Sequence, residues 1–284
     1  MGNKIYPSIK NSIFLCLIVM GIQFGLSILL GIFQLKFNIT QNSTLFGILS
    51  ILISLISFGI VILIGFKKTK RKFNEVFKFN RVSPVFWITG TIIIIGLSVV
   101  VSELDNLLNF VLPMPEWIRD FLSSLMKDQS LIISLFYIGL AAAFSEELFF
   151  RGLILDGFAI NYSKKKAIII SSLLFGLIHL NPWQFVGAFI IGLVLAYICI
   201  ETKSILLCIY MHFLNNAGAT LMVRYNDVIT IKGYNTIEAH AEFQPLWFTL
   251  SGLFLLIIGM TVLFKLLKKQ NMPQQDCGYT DNGT

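Results

Sequence analysis

The sequence predicts an all-α polytopic membrane protein with about eight transmembrane helices and both termini in the cytosol. Three observations predict it. The 284 residues are 56% hydrophobic and 13% charged, with a mean hydropathy of +0.79, too apolar for an ordinary soluble domain. Runs of about 20 apolar residues, the length that crosses a hydrocarbon core, recur along the chain. Finally, lysine and arginine are unevenly shared among the segments that join these runs.

The apolar runs place helices near 12–34, 44–66, 85–104, 130–158, 167–181, 184–200, 204–223 and 246–267. The first follows a short basic start with no small-residue cleavage signal, so it is expected to be retained rather than removed. Gly2 suits a myristoylation motif, but Tyr6 stands where that motif needs Ser or Thr. The C-terminal residues form no prenylation box. Asn38-Ile-Thr40 and Asn42-Ser-Thr44 match a glycosylation pattern, a frequent coincidence in an Asn-rich chain.

Residues 67–84 read as a cytosolic connection. Residues 105–129 are broken by Pro113 and Pro115. After Pro115 an apolar stripe at i, i+3, i+4 spacing predicts an amphipathic helix on the outer surface, with Trp117 at headgroup depth; a lid is the alternative. The fourth helix is expected to break near Gly157, and the fifth is short for a span.

Charge then sets the orientation. With eight spans and both ends inside, the inner segments hold sixteen of the 22 Lys and Arg residues, and Lys67 to Arg81 form the densest run. The outer segments hold Lys36, Arg119, Lys127, Arg224 and Lys232, and Arg151 lies within a helix. This is the positive-inside pattern, and it accounts for the net charge of +7 without nucleic acid. Cys16, Cys199, Cys208 and Cys277 show no CxxC spacing, so neither a disulfide framework nor a zinc knuckle is expected.

The organisation that follows has four parts. Residues 1–129 hold three helices and the outer amphipathic segment, 130–223 a helical core, 224–270 an outer loop and the last helix, and 271–284 a disordered polar tail.

The core carries three i, i+4 pairs: Glu147 with Arg151, Phe175 with His179, and His212 with Asn216. Spacing of four stacks both members on one helix face. An ionised group at the centre of a membrane helix costs ~2.5–3.5 kcal/mol on insertion scales. Glu147 and Arg151 fit a buried ion pair that stabilises the bundle, but Glu146 remains over. Two adjacent carboxylates with one local cation cannot both be neutralised, which makes Glu146 a candidate general base.

Each histidine alone fits a hydrogen-bonded core group. Depth unites them. At 1.5 Å per residue, His179 lies ~20 Å from Lys166, while His212 and Asn216 lie ~14 and ~20 Å from Lys203. Glu146 and Arg151 lie ~27 and ~20 Å from Lys164 on the same count.

Glu-Glu-x-x-x-Arg, Phe-x-x-x-His and His-x-x-x-Asn, in that order on successive apolar helices, resemble the CPBP family. It includes type II CAAX prenyl endopeptidases and bacteriocin-processing or immunity proteins. The resemblance spans roughly residues 130–223. It implies an eight-helix intramembrane protease whose site lies within the bilayer, reachable from the cytosolic side. On that pattern Glu146 and His179 activate water, His212 and Asn216 stabilise the oxyanion, and Glu147 and Arg151 organise the site.

A zinc ion held by Glu146, His179 and His212 is an open alternative, although His-Glu-x-x-His is absent. The expected substrate is a membrane-associated peptide or protein, and the expected location a bacterial plasma membrane. The rival readings are a proton-coupled transporter, disfavoured because no matching halves occur, and a non-catalytic immunity or scaffold protein that sequesters a peptide.

Overall fold

The computed structural model of the chain describes residues 5–236 and 241–270. Among these, nine helices carry the fold: α1 (Ile9–Phe37), α2 (Thr44–Thr69), α3 (Pro84–Val111), α4 (Glu116–Lys127), α5 (Leu131–Asn161), α6 (Lys164–Leu177), α7 (Pro182–Thr202), α8 (Ile205–Arg224) and α9 (Leu246–Gln270). One helical turn, Phe73–Val76, joins α2 to α3. All but α4 and α6 are long and apolar enough to cross a bilayer. The protein is an all-α polytopic membrane protein. The tail expected to be disordered, 271–284, and Cys277 within it lie outside the described residues.

Local signals start the helices where they stand. The Ser43, Ser163, Asn181 and Ser204 side chains accept from backbone N–H groups in the first turns of α2, α6, α7 and α8, relieving donors that have no partner within the helix. Pro84 and Pro182 occupy first-turn positions, where a missing N–H does no harm. Leu29, Leu35 and Trp247 face outward, as side chains solvated by lipid do.

The fifth helix departs from the expected span. Only 14 residues long, α6 reaches ~21 Å against ~30 Å of hydrocarbon. It ends at Leu177 rather than 181, because Leu180 turns into the left-handed region at φ 55° and Asn181 already caps α7. The expected break at Gly157 does not occur either. Helix α5 continues to Asn161, and Gly157 receives Pro7, whose atoms lie 2.5–2.8 Å from where a Cβ would be. Within α5, residues Leu135–Ala141 and Leu148–Ile154 wind as π-helix.

The basic end is closed. Arg71 and Lys78 both pair with the buried Asp156 carboxylate of α5. The Lys78 carbonyl accepts from the Ile205 N–H at 2.9 Å, and Phe79 bridges to Ser204. Phe77 packs on Gly152, next to a fully buried layer of Phe149, Phe150, Leu153 and Phe158.

At the other end, α4 lies over the bundle. Trp117 and Phe121 point outward, whereas Leu122, Leu125 and Met126 line a cavity beneath. The expected surface helix therefore also serves as a roof.

Helices α3 and α9 form the most extensive helix pair, brought together through glycines. A Cβ on Gly96 would stand 2.5 Å from the Leu256 nitrogen and 2.6 Å from the Gly252 oxygen, both backbone atoms that cannot rotate away. Small residues at such contacts let membrane helices approach closely. Gly96→Val is expected to destabilise the detergent-solubilised protein by roughly 1–3 kcal/mol or more, as overpacking does. Gly21→Val, with nothing within 4 Å, serves as the neutral control, and thermal unfolding of both variants checks the contrast.

Candidate active site

The fourth helix supplies two acids with different surroundings. Adjacent helical residues diverge by about 100°. Glu147 thus points into the core at 0% side-chain exposure, and Glu146 into the cavity at 17%. Glu147 Oε1 accepts from Arg151 Nη1 at 2.8 Å and lies 2.8 Å from His212 Nδ1. Arg151 Nη2 donates to the Gly192 carbonyl at 3.3 Å, and the guanidinium lies 4.4 Å from the Phe175 ring centre. A buried charge pair persists only with additional hydrogen bonds of this kind.

Because a carboxylate only accepts, His212 Nδ1 carries the hydrogen toward Glu147. Its Nε2 then faces Glu146 Oε2, 3.9 Å away. His179 follows the same logic from the end of α6. Its Nδ1 donates to the Phe175 carbonyl at 3.0 Å, leaving Nε2 to the cavity. The Phe175 ring meets both imidazoles edge-on, with centroids at 5.5 and 5.6 Å, and so separates the two histidines at a fixed distance.

Asn216 lies one turn beyond His212. Its Nδ2 donates to the Ile138 carbonyl at 2.8 Å, and its Oδ1 accepts from Asn215. Ile138 belongs to the first π-helical stretch, and such wide turns recur at functional sites. One amide hydrogen of Asn216 remains for another acceptor. Asn215 Oδ1 in turn accepts from Ser98 of α3 at 2.8 Å.

Glu146, His179, His212 and Asn216 all line one cavity of about 630 Å³. Glu147 and Arg151 stand behind it and do not line it. The sequence reading passed over Asp105, Tyr137, Gln184 and Asn215, which also line the cavity. Asp105 fell just past the expected end of the third helix, which in fact runs to Val111. Its position as the first residue of that extension, an acid directly after an apolar run, was the only available signal. Tyr234 of the loop after α8 also lines the cavity, and burial raises the pKa of its phenol.

Among the described residues, no group of three His, Cys, Asp or Glu side chains is arranged to hold a metal ion. Glu146 and His212 form a close pair, and His179 does not complete a zinc ligand set with them.

Residues 128–218 match the family model of the type II CAAX prenyl endopeptidases, Rce1-like. No curated protein and no solved structure matches the chain. The matched stretch is about a third of the chain, and over it the chain is similar to that family. The matched stretch holds all six residues singled out in the sequence, from α5 to α8. The matched family is one of proteases, and with seven apolar helices of membrane-crossing length this chain is an integral membrane protein.

Arg151→Ala is expected to leave Glu147 charged, buried and short of a partner, lowering stability by ~3–5 kcal/mol. The thermal midpoint in detergent checks this. A double change, Arg151→Met with Glu147→Gln, should recover part of the loss.

Proposed function

We propose that the chain is an intramembrane endopeptidase in which Glu146 activates water directly, without a metal. The observation that supports this most is the facing pair of Glu146 Oε2 and His212 Nε2, 3.9 Å apart on the cavity wall. A polar gap of that width suits a bridging water. Glu146 withdraws a proton from the water, its oxygen attacks the amide carbon, and a tetrahedral oxyanion forms. His179 Nε2 helps to orient the water.

The oxyanion needs donors already aimed at it. Protonated at both nitrogens, His212 donates from Nδ1 to Glu147 and from Nε2 to the oxyanion, with the free amide hydrogen of Asn216 beside it. Glu147 supplies the counter-charge, and Arg151 keeps Glu147 in place. When the C–N bond breaks, Glu146 returns its proton to the leaving amine, which balances the step. The substrate is a membrane-associated peptide or protein and the location a bacterial plasma membrane, with peptide maturation or self-immunity as the fitting contexts.

The test uses the reconstituted protein and a peptide library, with new termini read by mass spectrometry. Glu146→Gln keeps the shape and removes the base, so all cleavage should disappear while the thermal midpoint holds. Persistent cleavage would refute the assignment. Asn216→Ala should lower the rate by ~10²–10³, as loss of an oxyanion donor does. Incubation with a chelator should leave the wild-type rate unchanged; loss of activity that added zinc restores would overturn the metal-free reading.

A further inference from the structure

The residues that line the cavity show which end of the molecule it reaches. On α8 they run from His212 to Val223, which is ~11 to ~27 Å from the helix start at Ile205. On α3 they run from Ile94 to Asp105, ~15 to ~32 Å from Pro84. The roof is α4, and Tyr234 of the loop after α8 stands at the rim. Among the described residues, none of 67–83, 160–167 or 200–206 contributes to the lining. Toward that basic end the way is blocked by Phe149, Phe150 and Leu153, with Phe77 and Asp156 below them.

The two orientation signals therefore conflict. The charge asymmetry puts Lys67 to Arg81 and Lys164 to Lys166 in the cytosol. Access from the cytosol would instead require the cavity to open at that basic end, where the packing is closed. Reversing the molecule would reconcile access only by exposing sixteen basic residues on the outer face.

We infer that the cavity takes its substrate from the extracytosolic face. The substrate class follows: an apolar polypeptide segment presented from the outer leaflet or the exterior, slipping beneath α4 to reach Glu146. A prenylated C-terminus displayed in the cytosol has no route to that carboxylate. The inference builds on the hydrolase reading for the fate of the substrate but not for its direction of entry.

Cysteine accessibility tests it. Cys16, Cys199 and Cys208 are buried, and Cys277→Ser removes the fourth thiol. In this background Ser102→Cys probes the cavity wall, Asp227→Cys the loop beside its rim and Lys165→Cys the basic end. The reagent is a membrane-impermeant methanethiosulfonate, applied to intact cells and to inside-out vesicles. Ser102→Cys and Asp227→Cys should react in intact cells, with no reaction of Lys165→Cys until the cytosolic face is exposed. Reaction of Ser102→Cys only in inside-out vesicles, or in neither preparation, would overturn the route. Reaction of Lys165→Cys in intact cells would overturn the orientation. Repeating the series with Glu146→Gln separates this result from catalysis, since the labelling pattern should not change when hydrolysis is lost.

Discussion

A single buried carboxylate organises the core. Glu147 on α5 is shared between Arg151 on its own helix and His212 on α8. Arg151 extends the linkage to the Gly192 carbonyl of α7 and the Phe175 ring of α6. Four helices are thereby fixed around one charge that is fully removed from solvent. Removing two ions from water carries an effective penalty of several kcal/mol per ion. Such an arrangement therefore holds only if every helix arrives in register. Glu146 inherits its position from this anchor: with its neighbour locked inward, it can only turn toward the cavity.

The half-length helix is the second constraint. Irregular backbone at membrane depth is tolerated where it is buried in protein or lines a wet cavity, and the turn after α6 does the latter. The N–H groups of Ile178, His179 and Leu180 all find carbonyls of the last α6 turn, and Asn181 accepts from Gln184 at the start of α7. In an unbroken helix the Phe175 carbonyl would accept from the His179 N–H, but here that N–H turns to the Gly176 carbonyl instead. The early stop gives His179 a carbonyl to hold its Nδ1 and leaves its ring in the cavity.

The sequence made the spans legible because lipid imposes one strong rule, long apolar runs bounded by charge. It also made the Glu147–Arg151 pair legible, since spacing on one helix is local information. Contacts between helices were not legible. Nothing in residues 135–154 announces two π-helical stretches, which answer to tertiary packing and not to propensity. The partner of His212 turned out to be Glu147, a pairing across 65 residues. The stripe of α4 was visible, but whether it faced lipid or a cavity depended on what lay below. Gly157 read as a helix breaker, when its lack of a side chain instead admits Pro7.

Hydrolysis within a bilayer has to bring water to the scissile bond without letting it cross the membrane. A cavity of about 630 Å³ walled by carboxylate, imidazole and amide groups favours water inside it. The layer of fully buried Phe149, Phe150 and Phe158 on the basic side of Glu147 opposes passage further. Both conditions are met only if the cavity opens at one end. Closing the basic end with Asp156, Arg71 and Lys78 and roofing the opposite end with a short amphipathic helix is then a coherent division of labour. The basic end is tied together through ion pairs to the buried Asp156. The roofed end presents apolar side chains, Leu122, Leu125 and Met126, to the cavity.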